Sequence, residues 1–164
     1  MDIKPTSSSM YALLVLYDMH TRFFANVIEG ISDKDAHNRL NTKANHVAWL
    51  TGSLVEGRYE LADTLGTHLQ QAGHEFFKDH KGIQDGATYP SLASFKKDWD
   101  NISPVLRELL MKVSDEKLSQ SFEMMPGEFF TLFELCSFTI HRESYCIGQI
   151  GLWRRLMDYP AMKY

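Results

Sequence analysis

Apolar positions recur along this chain at the spacing of helices. Leucine, isoleucine, phenylalanine and tyrosine residues follow one another at intervals of three or four positions through several long segments. No stretch of convincing length alternates between apolar and polar residues with a period of two. Clusters of glycine, proline, serine and aspartate separate the segments. The pattern predicts an all-α fold.

The first two helical segments have recognisable ends. The first is expected to begin after the serine triplet at residues 7–9, any of which can cap a helix, and to end at Gly30. The second is expected to run from about Asn45 to Gly66, where glycine suits a left-handed C-terminal cap.

The third and last segments are marked by N-terminal caps. Ser91 is the expected cap of the third helix, and Pro104 should kink or split that helix. Thr131 and Glu134 have the spacing of a capping box for the last helix, whose apolar pattern continues toward Pro160.

Two connections complete the predicted architecture. Residues 67–90 are broken by glycine and proline, which predicts a long connection with one short helical turn, while residues 111–128 form a second connection with turn signals. A long connection can return the chain along the bundle, so the second and third helices are expected to be parallel. The resulting prediction is a four-helix bundle with up-down-down-up order. His68, His74 and His80 in the long connection are expected to be surface residues.

Gly148 and Gly151 lie inside the last predicted helix, where glycine costs about 1 kcal/mol. Two glycines three positions apart indicate a neighbouring backbone in close contact with this helix. One source of that backbone is a second copy of the chain, so a homodimer is one of our hypotheses.

Composition narrows the class of protein. A length of 164 residues fits one domain, residues 1–164, and a net charge of −4 argues against nucleic acid as the main partner. No stretch approaches the roughly 18 uncharged apolar residues of a membrane helix, and the first residues lack a signal pattern. Cys136 and Cys146 are expected to be free thiols in a cytoplasmic protein, with no membrane partner.

Two motifs resemble those of a known superfamily. The last segment contains E-S-Y-C-I-G-Q-I-G at residues 143–151, and the second contains Asn45, Trp49, Gly52 and Arg58 in register. Together they resemble the DinB and YfiT-like superfamily of four-helix bundles, over nearly the whole chain. The resemblance implies a bundle with a nickel or zinc ion held by three histidines, and relatives that include thiol-dependent transferases.

The histidines of that metal site are absent here. Carried over by position, the ligands fall on Ser53, Arg142 and Cys146, and none of these is histidine. An arginine cation repels a metal ion, so the resemblance implies a degenerate site with no bound metal. His46 and His141 are the fallback ligands. Antiparallel helices would leave them about 15 Å apart along the axis and parallel helices about 6 Å, so neither arrangement makes a good ligand pair.

Arg142 at a ligand position is the most informative substitution. Its guanidinium is expected to enter the bundle and to pair with a carboxylate, Glu56 or Glu60, and the alternative is a bound anion. Cys146 is expected to act as a small apolar residue, or to become reactive if Arg142 lowers its pKa. Gln149 is the remaining candidate for this pocket.

Three functional hypotheses remain open from the sequence. The leading one is a protein of unknown activity that binds a small polar or anionic ligand near Ser53, Arg142, Cys146 and Gln149. The second is a metal-dependent thiol transferase with non-standard ligands. The third is a non-catalytic dimeric scaffold. Fold resemblance alone does not choose among them.

Overall fold

The computed structural model describes residues 3–164, apart from the side chains of Met124 and Met125. Met1 and Asp2, the first residues of the segment expected to lack a signal pattern, lie outside the described residues. The described chain is mostly helical, which confirms the predicted all-α class in its main features. Within residues 3–164, no helix combines the length and apolar character needed to cross a bilayer. The helices are α1 (Tyr11–Ile28), α2 (Val47–Thr64), α3 (Leu92–Lys112), the short α4 (Asp115–Leu118) and α5 (Leu132–Leu156).

The predicted caps form because short polar side chains satisfy the first backbone N–H groups of a helix. Ser91 accepts from the backbone N–H of Ser94 at the start of α3. Thr131 and Glu134 make both hydrogen bonds of a capping box at the start of α5. Ser7 caps a 3-10 turn, Ser8–Met10, that leads into α1. These helix starts therefore follow from local sequence chemistry.

Pro104 lies inside α3 but does not split it, contrary to one of the predicted outcomes. The helix is continuous from Leu92 to Lys112. Pro104 and Asp100, whose carbonyl loses its usual i+4 partner, are both exposed, so water can satisfy that carbonyl. The proline therefore stands on the solvent side, where its cost to the helix is smallest.

A small hairpin in the second connection was not predicted. Strands β1 (Ser121–Met125) and β2 (Glu128–Thr131) pair antiparallel, and Gly127 adopts a positive φ of 81° in the turn between them. The register shifts between Glu123 and Met125. Because these strands are short and irregular, their sequence lacks the sustained alternation that would have revealed them.

Side-chain contacts define how the long helices run. Gly52 faces Phe95, and Arg58, farther along α2, reaches Ser103, farther along α3. α2 and α3 therefore run in the same direction, which the long connection between them permits. That connection contains two 3-10 turns, His74–Phe76 and Lys78–His80, instead of the single helical turn expected.

α5 runs parallel to α1. His20 of α1 contacts Glu143, while Val27 accepts a hydrogen bond from Arg154, about two turns farther along α1 and three turns farther along α5. α5 also packs along α2, where Arg142 donates to Ser53. These pairings place α5 between α1 and α2.

A buried ion pair joins α2 to α5 inside this packing. Arg58 is fully buried and Glu143 is 1% exposed. Nε of Arg58 donates to Oε1 of Glu143 at 2.6 Å, and Nη2 donates to Oε2 at 3.0 Å. His20 Nδ1 lies 3.2 Å from the same carboxylate. The pair is therefore bidentate, which is the strongest geometry available to it.

The Arg58 guanidinium is also enclosed on both faces. Its central carbon lies 3.5 Å from the ring centroid of Trp99 and 3.9 Å from that of Tyr17. Nη1 donates to the hydroxyls of Thr21 at 2.9 Å and Ser103 at 2.6 Å. The cation is thus desolvated, four of its five N–H donors make hydrogen bonds, and its contacts tie α1, α2, α3 and α5 together.

Candidate functional site

The candidate site is an open pocket of about 380 Å³ between α2 and α5. The 3-10 turns of residues 74–80 close one side of it. The pocket has the size of a small-molecule site and combines apolar walls with several charged groups. Its lining includes Trp49, Ser53, Glu56, Gly57, Glu60, Phe77, His80, Lys81, Phe138 and Arg142.

Gly52 shapes the wall behind this pocket. A Cβ at Gly52 would stand 2.3 Å from the Phe77 ring and 2.5 Å from the Phe95 ring, far inside contact distance. Only glycine lets Phe77 of the connection lie directly on the backbone of α2. Since Phe77 lines the pocket, this close contact fixes one of its apolar surfaces.

Arg142 reaches the pocket and is held there by Ser53. Nη1 donates to the Ser53 carbonyl at 3.0 Å, and Nη2 donates to its hydroxyl at 2.5 Å. Gly57 leaves room for the guanidinium, because a Cβ there would lie 3.3 Å from Nη1. Of the five N–H donors of arginine, three are left for another partner.

The predicted ion pair of Arg142 with Glu56 or Glu60 does not form. Among the described residues, Arg142 donates only to Ser53 and makes no ion pair with a carboxylate. One reason is that Gln71 and His74 of the long connection already contact the Glu56 carboxylate. Arg142 therefore lines the pocket without a direct ion pair to any described carboxylate.

Glu56 is engaged by the long connection. Gln71 Nε2 donates to one carboxylate oxygen at 2.6 Å, and His74 Nδ1 lies 2.6 Å from the other. Glu56 and Gln71 are buried, and the His74 side chain is 29% exposed. His74 is thus not the surface residue that the sequence predicted. His68 and His80 are exposed, as expected, with His68 against Asp63 at 3.0 Å.

Glu60 stands one turn beyond Glu56 and has no side-chain partner among the described residues. Glu60 is exposed overall, but the surrounding protein partly desolvates its carboxyl group and raises its pKa. The neighbouring Glu56 charge raises this pKa further, while the charges of His80 and Arg142 act in the opposite direction. The pocket therefore carries an unpaired carboxyl group as well as an unpaired guanidinium.

Cys146 and Gln149 do not line this pocket. Cys146 is 3% exposed, and burial raises the pKa of its thiol despite the nearby Arg142 charge. Of the two expectations for Cys146, the structure favours the small apolar residue and not the alternative of a thiol with a lowered pKa, because desolvation outweighs the cation. Cys136 and Cys146 are both free thiols, as predicted. Of the expected pocket residues, the structure brings together Ser53, Glu56 and Arg142.

The residues at the expected metal positions do not fit a metal ion. The Ser53 hydroxyl accepts from Arg142, and that cation stands at a position that the resemblance assigns to a metal ligand. His46 is buried at the start of α2 beside His37, with ring centroids 5.0 Å apart, whereas His141 is exposed on α5. Within the described part of the chain, no group of three or more His, Cys, Asp or Glu residues could hold a metal.

Gly148 and Gly151 do not contact a neighbouring backbone within the chain. A Cβ at either position would have nothing within 4 Å. Both line a second open groove, of about 640 Å³, between α1, α5 and the C-terminal residues. The expected close approach is therefore absent from the described residues, because the C-terminal segment spans this face without closing it.

No protein-family model matches the chain, and no curated protein is significantly similar to it in sequence.

Two features of the site were missed from the sequence. The unpaired Glu60 was considered only as a partner of Arg142, and the role of Gln71 and His74 in engaging Glu56 has no local signature. The buried Arg58–Glu143 ion pair, by contrast, did have a local signature in the sequence. Glu143 interrupts an apolar stripe between Ile140 and Ile147 on α5, which indicates a buried carboxylate that needs a cation.

Proposed function

We propose that this protein binds a small polar or anionic organic molecule in the pocket between α2 and α5. The pairing of the four long helices supports an up-down-down-up bundle of the DinB and YfiT-like type. In that setting, Arg142 stands where the superfamily places a metal ligand. The pocket would then use a fixed cation in place of a metal ion, and catalysis is not implied.

One observation carries this proposal. The Arg142 guanidinium donates two hydrogen bonds to Ser53 oxygens and lines a pocket with aromatic walls, yet it has no carboxylate partner among the described residues. An oriented guanidinium with spare donors is well suited to bind a carboxylate or a phosphate. Trp49, Phe77 and Phe138 offer apolar contact to the rest of such a ligand.

Replacing Arg142 with glutamine should abolish most anion binding. We expect 3-phenylpropionate to bind the wild-type protein, and R142Q to weaken that binding about tenfold or more, since charge-assisted hydrogen bonds are lost. Isothermal titration calorimetry measures both affinities. Arg142 is only half-buried and makes no side-chain hydrogen bond besides those to Ser53, so the fold should persist, which circular dichroism checks.

R155Q is the matched control, because Arg155 lies on α5 but lines the second groove instead. It should leave 3-phenylpropionate binding unchanged. Equal affinity for the wild-type protein and R142Q, or no binding of any carboxylate at millimolar concentration, would contradict the proposal.

A dimeric scaffold is the second candidate, and the outer face of α5 favours it. Tyr145, Leu152 and Leu156 are each about 60% exposed there, beside the groove that Gly148 and Gly151 leave open. Apolar side chains grouped at an open groove are typical of a protein interface.

If this face forms a homodimer, the protein should sediment as a dimer at micromolar concentration, and L152E should shift it to monomer. Leu152 is 62% exposed, so the substitution should not disturb the core. Sedimentation velocity distinguishes the states. A wild-type monomer at these concentrations would count against the scaffold hypothesis.

A further inference from the structure

The pocket wall carries two opposite charges that do not pair with each other. The Arg142 side chain of α5 lies against Gly57 of α2, and Glu60 follows Gly57 by three residues on α2. Both charged groups therefore stand at neighbouring positions along the same face of α2. Neither forms an ion pair with the other or with another described residue. A pocket with this arrangement presents a cation and an anion side by side.

The two acidic residues of the wall differ in availability. Glu56 is already hydrogen-bonded on both oxygens, by Gln71 and His74. Glu60 has neither a hydrogen bond nor an ion pair to its carboxyl group among the residues described. Partial desolvation and the Glu56 charge raise the pKa of this exposed carboxyl group, so a nearby positive charge would stabilise its ionised form.

A ligand with only a negative charge would satisfy half of this wall. An anion held by Arg142 would also lie near the Glu60 carboxylate, which repels it. A ligand that carries an ammonium group next to its carboxylate removes this repulsion and gives Glu60 a partner. The remaining lining is apolar and aromatic, from Trp49, Phe77 and Phe138, and a volume of about 380 Å³ suits a small molecule.

We propose that the ligand of this pocket is a zwitterionic α-amino acid with an aromatic or large apolar side chain. Its carboxylate binds Arg142, its ammonium group faces Glu60, and its side chain packs among Trp49, Phe77 and Phe138. This inference rests on the proposed function, since it names the class of ligand for the same site.

Three probes that share one phenyl group test the charge requirement. L-phenylalanine is the zwitterion, 3-phenylpropionate keeps only the carboxylate, and phenethylamine keeps only the amine. We expect L-phenylalanine to bind at least about tenfold more tightly than either single-charge probe in calorimetric titrations.

Two variants that each remove one charge assign the roles of the two groups. R142Q should weaken L-phenylalanine and 3-phenylpropionate alike. E60Q should weaken L-phenylalanine several-fold while leaving 3-phenylpropionate binding equal or stronger, because it removes both the amine partner and the repulsion. D63N is the matched control, since Asp63 lies farther along α2 and outside this pocket. It should change none of the affinities.

The outcomes separate this inference from the proposed function. If 3-phenylpropionate binds as tightly as L-phenylalanine, with dependence on Arg142, the zwitterion proposal is wrong and the anion site stands. If neither carboxylate binds, both proposals are wrong. If phenethylamine binds best and E60Q abolishes that binding, the site recognises a cation, which also contradicts both.

Discussion

Replacing Arg58 with methionine should lower the free energy of unfolding by about 3–5 kcal/mol, the cost typical of leaving one buried charge without its partner. Glu143 is 1% exposed and would keep only the contact with His20 Nδ1 at 3.2 Å. In the wild-type protein burial alone would raise the pKa of Glu143, but the Arg58 charge and the hydrogen bonds from His20 and Arg58 outweigh it and lower the pKa. R58M removes most of that compensation. Urea unfolding followed by circular dichroism at neutral pH measures the loss.

The double variant R58M/E143M is the informative control. It removes both charges and fills the space with apolar side chains, a change that is often neutral or stabilising for buried pairs. We expect it to recover at least half of the stability lost in R58M, although Ser103 and Thr21 lose a donor. Two results would contradict this prediction: a loss of unfolding free energy below about 1 kcal/mol in R58M, or a double variant no more stable than R58M. Either result would show that the unpaired Glu143 charge does not destabilise the packing of the helices.

Local chemistry made most of the helical framework predictable. Ser91, the Thr131–Glu134 capping box and the positive φ of 106° at Gly66 are properties of a few neighbouring residues, so the sequence alone reveals them. The N-terminus of α2 was predicted less well, because its cap is His46, an uncommon capping residue, and the helix starts at Val47 instead of Asn45.

The chemistry of the site was harder to predict because it depends on contacts distant in sequence. The position of Arg142 was found from the resemblance, but its partner Ser53 depends on side-chain conformation and on the space left by Gly57. Likewise, nothing local to residues 67–90 indicates that Gln71 and His74 occupy Glu56. Once Glu56 is occupied from that side, the unpaired charges of the pocket follow.

The stability of this protein should fall as the pH drops from about 6.5 toward 4, with His46 as the main cause. His46 is 5% exposed, and burial lowers its pKa from 6.5 to about 4, with the nearby His37 charge acting in the same direction. Its Nδ1 accepts from the Trp49 backbone N–H at 3.0 Å, which requires the unprotonated nitrogen. A proton there would also place a positive charge at a helix N-terminus.

The sign of this effect follows from proton binding. Between pH 6.5 and 4, the unfolded chain protonates His46 and the folded chain does not, so lower pH favours unfolding. The expected loss is about 2 kcal/mol between about pH 7 and about pH 5. Carboxyl groups with lowered pKa values, such as Glu143, lose their contribution only at lower pH, below the usual 4.5. The upper part of the range therefore isolates the histidine contribution.

H46N tests this assignment without removing the cap. Asparagine is a favourable N-cap residue and can still accept from Trp49, but it does not titrate. Urea unfolding at several pH values should give a clearly flatter stability profile between pH 7 and about pH 5 for H46N than for the wild-type protein. His37 remains in both proteins, so any slope it contributes is common to the two. If both profiles have the same slope, His46 is protonated in the folded state, and the burial of its ring at the start of α2 does not control the acid sensitivity of the fold.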